Sequence, residues 1–212
     1  STQAERLGFL LVLPDGTVDG NALRFWNATP ACCDFAGTGV DDVGYLSGLV
    51  DEMEAAFPVD PARVSFVGHS NGSFMAYRMA CEVPERIAAI AGLAGSTWKD
   101  AEDCAVDGPV AALHVHGDLD DTILYDGSPY YPSAEETIGR WAEKAGCEGE
   151  PVVVDEQDFD DAVAGAETVR SEWQGCERDV ALWKMTGSGH IPFVTPAFQA
   201  ELAEWVLEAG GP

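Results

Sequence analysis

The chain has 212 residues, of which 46% are hydrophobic, enough for one good core and one domain spanning 1–212. Thirty-seven acidic residues against eleven basic ones leave a net charge of −26, which argues against nucleic acid or an anionic membrane as partner, since both require a basic face. No apolar run reaches the ~18 residues needed to cross a bilayer.

The first apolar run, Gly8 to Leu13, closes at Pro14-Asp15-Gly16 and reads as a buried parallel strand. Asp19 to Thr38 is loop-like and carries Trp26 and the adjacent pair Cys32-Cys33. Asp41-Asp42 then opens a helix whose apolar positions Val43, Leu46, Leu49, Val50 and Met53 recur at three- and four-residue spacing until Pro58. Val64 to Gly68 is a short strand, and good helix formers follow from Ser73 onward. Further strands are expected at Ile87–Leu93, Val110–His116 and Val180–Met185, with helices at Glu135–Ala145 and Phe198–Leu207. The stretch 148–179 reads as an irregular acidic excursion holding one short strand at Val152–Val154. Strands alternating with helices predict an α/β fold, a mostly parallel sheet covered on both faces.

Six cysteines without the C-x-x-C spacing of zinc sites point to disulfides and an oxidising compartment. Cys147 and Cys176, which bracket the acidic excursion, are the first pairing to expect. At Ser1–Arg6 no basic segment precedes an apolar stretch, so any export signal is expected to be absent from this sequence.

The motif Gly68-His69-Ser70-Asn71-Gly72 joins a strand to a helix. Glycines on either side of Ser70 let the two backbones pass closely, forcing the serine into a strained turn with its hydroxyl exposed. Two later strands end in the acidic cluster Asp118, Asp120 and Asp121 and in the glycine-rich loop that carries His190. Ser, then Asp, then His is the chain order of the α/β-hydrolase triad. A serine hydroxyl needs an imidazole to take its proton, and the imidazole needs a carboxylate to fix its tautomer. Asp120 is the acid of choice, just past the strand end, with Asp121 in reserve and Asp118 solvated.

His114 and His116 share one face of a strand, a spacing that suits a metal, but without a third ligand the pair reads as packing and loop hydrogen bonding, and neither metal nor cofactor is expected. Trp26, Trp98, His69 and Ile191, near strand ends or beside the nucleophile and base, are the candidate substrate contacts.

These motifs, with Asp60 to Cys81 the most specific run and Cys32-Cys33, Asp41 to Leu46 and His114 to Asp121 in support, resemble the polyhydroxybutyrate depolymerase and feruloyl esterase family of secreted α/β-hydrolases. The resemblance runs from about Gly8 to Pro196. It implies an extracellular serine esterase acting on aryl esters or polyesters, including aromatic polyesters. Ser70 would be nucleophile, Asp120 acid, His190 base and the Asn71 amide one oxyanion donor. Such proteins carry an earlier strand whose loop supplies the second oxyanion amide, between the counterparts of Gly8–Leu13 and Val64–Gly68, and this sequence lacks it. Three arrangements answer that gap: Gly8–Leu13 shifts into it, with an amide of Gly16 or Thr17 as substitute donor; a second copy of the chain covers it as a homodimer; or the protein is a trimmed remnant. A remnant keeping only the pocket, as a non-catalytic binding module, is the alternative to an enzyme.

Overall fold

A computed structural model describes residues 2–104, 108–209 and 211. Its centre is a six-stranded sheet in the order β3-β4-β5-β8-β7-β6, where β3 is Ser65–His69, β4 Ala89–Leu93, β5 Ala111–Gly117, β6 Glu148–Gln157, β7 Thr168–Gln174 and β8 Val180–Met185. The first four strands in that order run parallel, and β7 and β6 are added antiparallel. Two two-residue strands, β1 (Thr17–Val18) and β2 (Arg24–Phe25), form a separate small hairpin.

Parallel strands need crossover connections, and the apolar faces of those helices then cover the sheet. On one face lie α2 (Asp42–Ala56), α3 (Asn71–Glu82) and α4 (Ala134–Lys144), whose Leu46, Phe74, Met79, Ile138 and Trp141 share a core with Ile90 and Ala112. On the other lies α5 (Pro196–Ala209), whose Phe198 and Val206 pack with Leu113, Val115, Trp183 and Met185. The two-residue alternation along β5 therefore sends Leu113 and Val115 to the α5 side and Ala112, His114 and His116 to the α3 and α4 side.

Two expectations are corrected. Gly8–Leu13 is not a strand: it is irregular, follows a short helix α1 (Thr2–Leu7), and leaves Leu10, Leu11, Val12 and Leu13 exposed. Its composition favours extended backbone, but a strand exists only where a ladder accepts it. Among the described residues nothing pairs with the outer edge of β3, so this run has not shifted into the gap. The stretch 148–179 is not irregular either. Val152–Val154 is the middle of β6, which pairs with β7 from Glu148↔Gln174 to Gln157↔Thr168 and carries the sheet outward. Acidic residues and Pro151 hid this strand, and both are what a sheet edge uses to discourage further pairing.

Disulfides join Cys32–Cys33, Cys81–Cys104 and the expected Cys147–Cys176, which ties the end of α4 to the end of β7 across a separation of 29 residues. Replacing both Cys147 and Cys176 by alanine should cost about 3–4 kcal/mol, because the open chain regains the entropy that closing a loop of that length removes. Urea unfolding of the double variant beside its parent measures the difference.

Candidate active site

The turn between β3 and α3 holds Ser70 at φ 55° and ψ −119°, a conformation that costs a residue with a side chain about 1–3 kcal/mol. Surrounding bonds hold it there. The Ser70 amide donates to Leu93 O at 2.8 Å, and its carbonyl accepts from the amides of Ser73 and Phe74 at 2.9 and 3.2 Å. Gly68 is required, since a Cβ there would collide with the Gly72 carbonyl. Gly72 is not required for space: a Cβ at that position meets nothing within 4 Å. Only the first of the two expected glycine roles is therefore steric.

Parallel neighbours in register end on the same side, so β3, β5 and β8 deliver their following loops to one rim. There the Ser70 hydroxyl lies 3.0 Å from His190 Nε2, and His190 Nδ1 lies 2.8 Å from Asp120 Oδ2. A carboxylate can only accept, so Nδ1 carries the proton and Nε2 is left free to accept from the serine. Asp120 Oδ1 accepts two backbone amides, Thr122 at 2.9 Å and Ile123 at 2.8 Å. Burial by itself raises the Asp120 carboxyl, but bonds from His116, His190 and these amides outweigh it and hold the group down at about 2. Asp118 instead accepts the Gly187 amide at 2.7 Å, and exposed Asp121 touches only the Thr122 hydroxyl. Neither reaches His190.

The Asn71 amide, first in its helix, donates to no described residue and stands at the positive end of α3 beside Ser70. Its side chain is engaged elsewhere: Oδ1 accepts Trp26 N–H at 2.6 Å and Nδ2 donates to Trp26 O at 3.0 Å. Trp26 is thereby pinned to the turn, with its ring stacked 6.3 Å from Tyr45. The next residue, Asn27, donates its amide to buried Asp42 at 2.6 Å. Burial raises the Asp42 carboxyl, opposed by the Asn27 bond and the Arg78 charge. Gly16 and Thr17 lie against Phe25, and no contact ties them to Ser70.

The remaining candidates separate. His69 Nε2 donates to His190 O at 2.8 Å, with the two rings 4.9 Å apart, so it braces the loop of the base. Ile191, directly after His190, is 76% exposed, and so, at similar levels, are Phe193 and Leu119. Trp98 is half-buried against the α2–α3–α4 core and its carbonyl accepts from Arg140. His114 and His116 are buried in a hydrogen-bonded series, and among the described residues no cluster of three or more metal-ligating side chains is assembled.

Sequence reasoning missed Asp160. Buried at 2% exposure, it accepts the Ser188 hydroxyl at 2.7 Å and the Phe193 amide at 3.0 Å, gripping the His190 loop on both sides. Its neighbours Asp158 and Asp161 are also acids, so nothing in the local pattern distinguishes it.

No family model matches the chain. Among curated proteins it is 29% identical to feruloyl esterase B of Piromyces equi over 68% of this chain and 28% of that one. It is 26% identical to the bifunctional acetylxylan esterase/xylanase XynS20E of Neocallimastix patriciarum over 90% of this chain and 25% of that one. The chain thus spans little more than a quarter of the length of these relatives. The acetyl xylan esterase structure from Aspergillus awamori superposes with a TM-score of 0.54 at 17% identity, covering 78% of this chain and 66% of that one. The mainly parallel sheet with helices on both faces is that of an α/β-hydrolase.

Two outcomes follow from this geometry. Gly68→Ala should abolish soluble expression or reactivity of Ser70, whereas Gly72→Ala should keep both, with a melting temperature equal to or above the parent's, alanine being the better helix former by about 1 kcal/mol. The Asp120 carboxyl lies below its ordinary value of 3.8, so the folded state favours its charged form. The resulting stability is whole above pH 3.8 and is lost as pH falls toward about 2. Denaturation midpoints of the parent and Asp120→Asn should converge across that window; a gap that stays constant would contradict the assignment.

Proposed function

We propose that this chain, similar to feruloyl and acetylxylan esterases and built on the α/β-hydrolase fold, is a serine carboxylic ester hydrolase working through an acyl-enzyme. The observation that carries this reading is one imidazole bonded to the Ser70 hydroxyl on one side and to buried Asp120 on the other.

His190 Nε2 takes the Ser70 proton as Oγ attacks the ester carbonyl, and the Asn71 amide, unused within the chain and at a helix N-terminus, receives the developing oxyanion. The imidazolium, stabilised by Asp120, then protonates the leaving alkoxide. In the second half-reaction His190 deprotonates water, whose oxygen attacks the acyl carbonyl; the acyl–Oγ bond then breaks, the imidazolium returns the proton to Ser70 Oγ, and the carboxylic acid leaves. An amide of Gly16 or Thr17 is retained as the second donor. Such a role requires β1 to close on the turn, and one missing donor lowers turnover by roughly 100- to 1,000-fold.

The substrate class is an aryl ester or polyester: feruloyl esters, polyhydroxybutyrate-type polyesters or aromatic polyesters. Trp26, fastened beside Ser70, and the exposed Ile191, Phe193 and Leu119 near His190 and Asp120 supply apolar surface for such groups. Trp98 and His69 remain candidate contacts, the His69 ring standing 4.9 Å from that of His190. Three disulfides support an extracellular setting, and one domain is the simplest organisation for a single continuous main sheet.

A binding module is the second reading, favoured by the lack, among the described residues, of any strand beyond β3 to carry a second oxyanion donor. Purified protein should label with a fluorophosphonate and release p-nitrophenol from short acyl esters, and Ser70→Ala should lose both, with kcat lower by about 10⁴- to 10⁶-fold. Unlabelled parent protein supports the module; release unchanged by Ser70→Ala removes this serine from the mechanism.

A further inference from the structure

The hydrogen-bonded series at the active site does not end at Asp120. His116 Nε2 lies 3.2 Å from Asp120 Oδ2 and 2.8 Å from Ile123 O. On the far side of that ring Nδ1 is 3.0 Å from His114 Nε2, and His114 Nδ1 is 2.7 Å from the Tyr77 hydroxyl. All four side chains are buried. Gly92 makes the last contact reachable: it is the neighbour of His114 on β4, and a Cβ there would stand 2.6 Å from the Tyr77 ring.

Counting donors fixes the direction of every bond. Ile123 O and the Asp120 carboxylate only accept, so His116 Nε2 carries a proton. With His116 neutral, its Nδ1 accepts and His114 Nε2 must donate. His114 Nδ1 then accepts, and Tyr77 donates to it. Running the series the other way would leave the Tyr77 proton without an acceptor among the described residues. Burial pushes His114 far below its ordinary value and pushes the Tyr77 phenol up, so both stay uncharged.

We propose that His116 is a positioning residue for Asp120, and that Tyr77 and His114 lock it in the only tautomer able to fill that role. The inference rests on the triad assigned above and extends it inward by three residues. Asp120 Oδ2 receives His190 from the rim and His116 from the interior, while Oδ1 receives two backbone amides. The carboxylate is therefore held on every side, and its charge is shared with a group that never touches substrate. His116 also bonds Ile123 O, fastening the loop that carries Asp120 to the strand that precedes it. Bonds in such a series polarise one another, so a proton donated by Tyr77 strengthens the donor that Asp120 feels two rings away.

The titratable groups facing His116 are His114 on its own strand, Asp120, and Tyr125, edge-on at 5.6 Å with Lys184 of β8 over its ring. Those facing His190 are Asp120 and His69. His116→Phe keeps the ring volume and removes the donor to a charged acceptor, so kcat should fall about 10- to 100-fold with KM unchanged. A carboxylate with one donor fewer holds the imidazolium more tightly, so the acid limb of kcat/KM should move to higher pH. His116→Gln, whose amide can donate from about the Nε2 position, should recover most of the loss. Tyr77→Phe, which deletes one oxygen, should lower kcat about three- to tenfold and move the limb the same way.

Parent-level kcat and an unmoved acid limb in His116→Phe or Tyr77→Phe overturn the proposal, as does a His116→Gln enzyme no better than His116→Phe. If the His116 variants do not fold, Tyr77→Phe decides alone. Fluorophosphonate labelling and turnover of the parent keep the two levels apart: an inert parent defeats the esterase reading and this proposal together, whereas an active parent with indifferent variants defeats only the proposal.

Discussion

One imidazole ring has to meet an alcohol 120 residues before it in the chain and a carboxylate 70 residues before it, on opposite nitrogens and at hydrogen-bond distance. No local rule of chain geometry can arrange that. A parallel ladder can, because strands in register finish on the same side and their loops share a rim. The β3-β4-β5-β8 block is therefore the part of the fold on which the site depends, and the two antiparallel strands beyond β8 widen it without supplying Ser70, Asp120 or His190.

A shared rim brings loops together but does not hold side chains still. The His190 loop is held by three side chains through four bonds: Asp118 on the Gly187 amide, Asp160 on Ser188 and Phe193, and His69 on the His190 carbonyl. Asp120 has its own supports in Thr122, Ile123 and His116, and Ser70 in Leu93 O and the opening turn of α3. Two of these supports, Asp118 and Asp160, are carboxylates accepting uncharged donors. In so acidic a chain this is an economical use of composition: a buried aspartate that accepts two or three N–H or O–H bonds is satisfied without a basic partner.

The two borders of the sheet are treated differently. β6 is long and carries Pro151 and several acids, devices that keep another strand away. β3 is short, has neither proline nor acid, and exposes Val67, with the apolar run Leu10–Leu13 also exposed. Hydrophobic composition placed that run among the strands; the ladder shows that composition supplies willingness to extend and not a partner.

Periodicity and punctuation in the sequence were sufficient for β3, β4, β5 and β8, for the helices α2 to α5, for the strained serine, and for expecting Asp120 and His190 to meet it, since each depends on a local pattern or on chain order. The Cys147–Cys176 bridge was legible for the same reason: the two residues flank one segment. Asp160, the outward hairpin of β6 and β7, and the limited need for Gly72 were decided only by packing, because each depends on which atoms approach from distant parts of the chain. The paired histidines show the division most clearly. Alternation on a strand put His114 and His116 on one face, but only the fold brought Tyr77 under Gly92 at one end and Asp120 over the other, turning two buried rings into a directed series of hydrogen bonds.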